Sequence, residues 1–206
     1  MILPAADRDS VESAIETLWA GGIVAIPTDT LYGLTVLPNA WSLAALLAAK
    51  RRPGDKGIAL AVDSIDQVEA LADLPPVARR LVDRFWPGPL TLVLSPRAEA
   101  GVDLPAPLLG PTGTLGFRMP DHPVPRQLSA RLGPIALTSA NVSGGPDPMT
   151  AAELVEQVGD SLALVLDGGP LRGGVASTVV AVSAEGAVVI LRSGALDPSE
   201  VTSALA

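Results

Sequence analysis

The only two lysines in the chain, Lys50 and Lys56, stand in one short segment, Lys50–Gly57 (KRRPGDKG), beside Arg51 and Arg52. An ammonium is a compact point charge and a guanidinium a planar fork, so confining lysine to this segment, when every other cation is arginine, points to a site that distinguishes them. Four cations on a loop broken by Pro53 and Gly54 suit an anion such as a phosphate chain. A second candidate is PTDTLYGL, residues 27–34. Its Thr28, Asp29, Thr30 and Tyr32 offer donors and acceptors in a row, ahead of Gly33, which admits a close ligand or backbone. Taken alone, it fits equally well a proline-initiated turn closed by an Asx-type hydrogen bond. A third is TSANVSGG, residues 138–145, where Ser139 and Asn141 precede Gly144 and Gly145, a pair able to form an anion-cradling backbone nest. Arg118, Arg172 and Arg192 fall near predicted strand ends or glycine turns, where a guanidinium can fork onto a carboxylate or phosphate.

Other chemistries are disfavoured. The chain has neither a GxxxxGK[ST] phosphate loop nor a GxSxG nucleophile elbow. It has no cysteine, hence no thiolate nucleophile, disulfide or zinc–thiolate site, and its one histidine, His122, sits in an Asp-His-Pro turn that suggests a structural or solvent-facing residue rather than a catalytic one. Any metal is then oxygen-bound, such as magnesium. Arg79, Arg80 and Arg84 read as surface ion-pair partners on a helix, and Asp63 and Asp66 as helix caps. A net charge of −8 argues against a broad nucleic-acid surface and leaves room for a local basic pocket.

The elements that must position these groups follow from periodicity. At 206 residues and 48% hydrophobic, the chain fits one globular domain, residues 1–206, with a substantial core. Its apolar runs stop short of the roughly 20 residues of a membrane span, and acids precede the first apolar segment, so a cytoplasmic protein is expected. Helices are predicted over Asp9–Ala20, with Asp9 and Glu12 in capping-box spacing, and over Trp41–Lys50, Ile65–Ala72, Pro76–Phe85, Val124–Leu132 and Thr150–Val158. A last helix opens at the Asp197–Glu200 cap. Short strands alternate with the helices, at GIVAI, GIALAVDS, PLTLVLSP, GTLGFRMP and PIALTSAN, then Leu162–Leu166, Ser177–Val182 and Ala187–Arg192. This order predicts an α/β fold: a twisted, open, mixed sheet with helices on both faces, the last two strands forming a hairpin. Three strands end in small hydroxyl or amide side chains, where open α/β sheets bind ligands, and together these parts favour an anionic nucleotide beside a small polar ligand.

Seven motifs, PTDTLYGL, AAKRRPGDKGIAL, FWPGPLTLVL, GFRMPDHP, LTSANVSGG, STVVAV and ILRSGAL, occur in the order found in the threonylcarbamoyl-AMP synthase family, the YrdC-like domain. The resemblance runs from about Gly21 to Leu196. It implies a YrdC-like fold with a large basic cavity and an enzyme that makes threonylcarbamoyl-adenylate and pyrophosphate from L-threonine, bicarbonate and ATP with Mg2+. The product would feed threonylcarbamoyladenosine formation in tRNA through a separate transferase complex. Carried over by motif, Lys50 and Arg52 (KxR) would be catalytic and hold ATP phosphates, joined on the ATP side by Lys56, Thr114, Ser139, Asn141 (SxN) and Arg192. Thr30, Tyr32, Arg118 and Ser177 would bind L-threonine, and no protein side chain is assigned to the metal. The chain departs from the family at Gly57 and Ala61, where a proline and a histidine often stand. It resembles the single-domain members, with its C-terminal tail as a candidate lid. Two other readings stay open: a carbamoyl-adenylate-forming domain using carbamoyl phosphate, and an RNA-binding or ribosome-assembly module, with weak RNA binding compatible with either enzyme.

Overall fold

A computed structural model describes residues 1–54, 56–97, 104–171 and 174–205. Among the described residues ten strands form one mixed sheet: β1 (Ile2–Pro4), β2 (Val24–Ile26), β3 (Gly33–Val36), β4 (Ala59–Ala61), β5 (Leu90–Leu94), β6 (Leu115–Arg118), β7 (Ile135–Ser139), β8 (Leu164–Asp167), β9 (Thr178–Val182) and β10 (Val188–Arg192). Their spatial order is β1-β8-β2-β3-β7-β4-β6-β5-β9-β10. β8 runs parallel to β1 and β2, β6 to β4, and β9 to β5, while β3, β7 and β10 pair antiparallel to their neighbours. The closing hairpin, β9 with β10, is the one expected from the sequence.

Seven α-helices among the described residues cover the sheet: α1 (Arg8–Trp19), α2 (Ala40–Ala49), α3 (Ile65–Glu69), α4 (Pro76–Phe85), α5 (Pro123–Leu132), α6 (Ala151–Val158) and α7 (Pro198–Ser203). Strand alternation sends side chains to two cores. In β2, Val24 and Ile26 join the apolar stripes of α1 and α5 on one face, whereas Ala25 joins α2, α4 and α6 on the other. α1 buries Val11, Ala14, Ile15 and Leu18 at helical spacing, and Leu18→Ala would cost about 2–5 kcal/mol. Its predicted capping box does not form. Asp7, not Asp9, occupies the cap and makes no side-chain bond; with the helix starting at Arg8, Asp9 lies inside the first turn and Glu12 beyond the N3 position, where it pairs with Arg131 on α5. The Asp197–Glu200 capping box is present on α7, and Thr150 caps α6 by accepting from Glu153 N. Asp63 is no cap: Ser64 takes that place on α3, and Asp63 pairs with Arg126 at 2.8 Å.

Two strands were not expected. β1 docks on β8 at the sheet margin, and β3, which starts at the end of the polar-looking PTDTLYGL stretch, lies between β2 and β7. β3 is buried throughout because it occupies the middle of the sheet.

Candidate active site

The three motif segments converge where β2 and β7 end and β3 begins. β3 starts directly after Tyr32, and its pairing with β7 sets Gly33 opposite Ser139. A side chain at 33 would meet Leu137 Cδ1 at 2.6 Å, which is why the strand opens on glycine. Ala140 N donates to Tyr32 O at 2.9 Å, so the loop after β2 and the loop after β7 are joined through their backbones.

Lys50 ties the KxR segment to the same place. It follows the last turn of α2, is 1% exposed, and its ammonium donates to Ser139 O, to Asn141 O at 2.6 Å and to Asn141 Oδ1 at 3.3 Å. Ser143 N returns a bond to Lys50 O at 2.9 Å. Burial pushes the Lys50 pKa down to about 8, the Arg52 charge adding to that, while Asp147 pulls the other way. Ser139 Oγ donates to Asn141 Oδ1 at 2.6 Å, and Asn141 Nδ2 to Gly145 O at 2.8 Å, which folds the SxN loop over the ammonium. Arg52 Nη2 donates to Lys56 O at 3.1 Å and Gly57 O at 3.2 Å, closing the basic loop and leaving Lys56 at the surface. Gly57 packs on the chain beyond it: a Cβ there would meet Gly110 N at 2.8 Å. Thr114 lies just after that contact, its carbonyl accepting from Gly110 N at 2.8 Å and its hydroxyl 3.1 Å from that of Thr112.

Arg118, at the end of β6, is 9% exposed and reaches across to the PTDTLYGL loop. Nη1 donates to Thr30 Oγ1 at 2.8 Å, Nη2 to Asp29 Oδ1 at 2.5 Å, and Nε to Gly88 O at 3.2 Å. Asp29, Thr30 and Gly88 line a cavity of about 460 Å³, with Asp121 also on its wall. Arg192, at the end of β10, donates to Ser177 O at 2.9 Å and Ser177 Oγ at 3.3 Å, and Ser177 Oγ lies 2.8 Å from Thr91 Oγ1. Burial lowers the Arg192 pKa; Asp147 raises it and the Arg118 charge lowers it further, so these cations share one electrostatic field.

Tyr32 is fully buried. Its hydroxyl bonds Gly169 O at 2.8 Å and Asp167 Oδ1 at 3.2 Å and accepts from Gly168 N at 3.0 Å, pinning the loop after β8; burial pushes the phenol up to about 12. His122 caps α5, Nδ1 accepting from Val124 N at 3.2 Å, which accounts for the histidine structurally. Arg172 lies outside the described residues. Sequence reasoning did not anticipate Thr91, Gly88 or the tie from Asp29 to Arg118. The last joins residues 89 positions apart, and nothing in local spacing announces it.

Ammonium, guanidinium, hydroxyl and amide groups gather around Lys50, at the end of α2, and around Arg118 and Arg192, at the ends of β6 and β10, and this chemistry suits anionic ligands beside an α/β sheet. Comparisons with known proteins make this specific. A family model for Sua5, YciO and YrdC proteins, described as Telomere recombination, matches residues 16–194, and the chain belongs to that family. A threonylcarbamoyl-AMP synthase of Pyrococcus abyssi is 40% identical over 188 residues, 88% of this chain and 53% of that one. The Bacillus subtilis enzyme of the same name is 36% identical over 201 residues, 93% of this chain and 55% of that one. The crystal structure of P. abyssi Sua5 complexed with L-threonine superposes with a TM-score of 0.91 at 34% identity, covering all of this chain and 61% of that one. This chain thus spans little more than half the length of those relatives. Among the described residues no helix is long and apolar enough to cross a membrane.

Proposed function

We propose that the protein is an L-threonylcarbamoyladenylate synthase. The observation that carries this reading is the Lys50 tether, which brings the KxR and SxN segments to one point beside the Arg118 and Arg192 strand ends. Two anions must meet there, the ATP triphosphate and the carbamate of L-threonine.

The chemistry needs no enzyme nucleophile. The threonine ammonium and bicarbonate give the carbamate with release of water and one proton. A carbamate oxygen then attacks the α-phosphorus of ATP, the bond to the β-phosphate oxygen breaks, and pyrophosphate leaves. The protein's part is alignment and neutralisation of developing charge. Arg52, Lys56 and Arg192 face the phosphates, with Thr114, Ser139 and Asn141 framing the nucleotide. Lys50, whose three hydrogens already have oxygen acceptors, acts through its charge and through the loop it holds. Thr30, Arg118 and Ser177 shape the threonine side, and Tyr32 supports it from behind. Magnesium suits this donor set as ATP's own counter-ion: no group of three or more acidic or histidine side chains gathers to hold a metal among the described residues, and the cations fit phosphate oxygens. Its bound charge would stabilise the departing pyrophosphate.

Purified protein given ATP, magnesium, L-threonine and bicarbonate should release pyrophosphate and form the adenylate only when all are present. Release supported by carbamoyl phosphate without threonine would reverse the assignment. So would thermal stabilisation by RNA alongside none by ATP or threonine.

A further inference from the structure

The cavity on the threonine side is walled by Asp29, Thr30, Gly88 and Asp121 and has no cation among its described lining residues. Its guanidinium stands behind the wall, and every acceptor of Arg118 is a wall residue: Gly88 O on Nε, Thr30 Oγ1 on Nη1 and Asp29 Oδ1 on Nη2. Arg118, 9% exposed, has five N–H donors, and these bonds occupy three, leaving two without a protein acceptor among the described residues. Asp29 uses Oδ1 for Arg118, lines the cavity, and has a side chain that is 14% exposed, and its Oδ2 has no protein donor among the described residues. An anionic wall backed by a guanidinium is complementary to a zwitterion, whose carboxylate and ammonium are one carbon apart. It is a poor match for a simple anion.

We infer that Asp29 accepts the α-ammonium of the amino-acid substrate, so that Asp29 and Arg118 read the zwitterion as a pair. This rests on the threonine-dependent reading above and adds to it a specificity residue. The ion pair with Arg118 fixes the Asp29 rotamer, and Thr30, bonded to the same guanidinium and 3.2 Å from Thr28 Oγ1, fixes the loop that carries it. Asp29 then holds the amine where bicarbonate reaches it and rejects α-hydroxy acids, which carry the same carboxylate but present a hydroxyl where the carboxylate requires a cation. No proton transfer is assigned to Asp29.

The test compares L-threonine with its α-hydroxy analogue, 2,3-dihydroxybutanoate, by calorimetry and thermal shift on the full chain. Wild type should prefer L-threonine by at least about 10-fold, and equal affinity overturns the inference without any variant. Asp29→Asn should weaken threonine about 10- to 100-fold, leave ATP affinity within about threefold, and erase the preference over the analogue. Asp29→Glu, which keeps the charge, should restore part of that preference. A well-folded Asp29→Asn that binds ATP and keeps the wild-type preference sinks the role of Asp29 alone. A wild type that binds neither L-threonine nor the analogue sinks the threonine reading and this inference with it.

Discussion

Replacing Lys50 by methionine separates the stability of the fold from the geometry of the site. The buried ammonium carries a desolvation cost: the gap between an ordinary 10.5 and about 8 corresponds to roughly 3 kcal/mol. Methionine avoids that cost and fills similar volume, but it strands Ser139 O and Asn141 O, at about 1–3 kcal/mol for each buried carbonyl left without a donor. The two effects largely cancel, so urea denaturation of Lys50→Met should show a net loss between zero and about 3 kcal/mol. Threonine-dependent pyrophosphate release should nonetheless fall roughly 100-fold, because the SxN loop is no longer held in register. Lys50→Arg should fail similarly, since a planar fork cannot point three hydrogens at this compact set of oxygens. The pH dependence has a definite sign. With the folded pKa below the unfolded one, the Lys50 penalty is fully present below about pH 8 and is relieved as pH rises from 8 toward 10.5, a slope that Lys50→Met should remove. Near wild-type turnover in Lys50→Met, or a stability loss beyond 5 kcal/mol, would refute this reasoning.

Arg118→Gln should raise the apparent KM for threonine at least 10-fold with little change in that for ATP, measured by pyrophosphate release; the opposite pattern would show the two subsites exchanged. Arg52→Ala should weaken ATP binding by calorimetry while leaving the melting temperature within a few degrees, and unchanged ATP affinity would remove it from the phosphate site. Tyr32→Phe loses the hydroxyl that serves Asp167, Gly168 and Gly169, so chemical denaturation should show about 1–3 kcal/mol of destabilisation with threonine affinity nearly intact. Burial lowers the His122 pKa below 6.5, so this residue's contribution to stability is lost as pH falls through 6.5 toward the folded value; His122→Asn, which can still cap α5, should flatten that part of the acid denaturation profile.

Periodicity located most of the fold because most elements bury a regular face. Pro76–Phe85 was bounded correctly, and the Asp197–Glu200 box was legible because capping is local chemistry. β3 was obscured: with Thr28, Asp29, Thr30 and Tyr32 just before it, its run looked like a polar loop, and only its central place in the sheet buries it. The Asp9 box failed because the helix begins at Arg8, which puts Asp9 inside the first turn and Glu12 out of reach of the cap. At the site, residue types and motif order pointed to Lys50, Ser139, Asn141, Thr30 and Arg118, but their division of labour depends on contacts across nearly ninety residues of sequence. That is why the sequence suggested a phosphate ligand at Lys50 where the fold makes a buried clamp.

The unequal surroundings of the two lysines have a practical consequence for amine chemistry. Lys50 is sealed beneath the SxN loop and Lys56 stands at the surface four residues from Arg52. An acylating reagent under native conditions should therefore modify Lys56 and the Met1 amine and spare Lys50. Because Lys56 is the accessible one of the two side-chain amines, a fluorophore there would report on whatever enters the loop. Delayed labelling of Lys50 itself would clock how often the SxN loop lifts off.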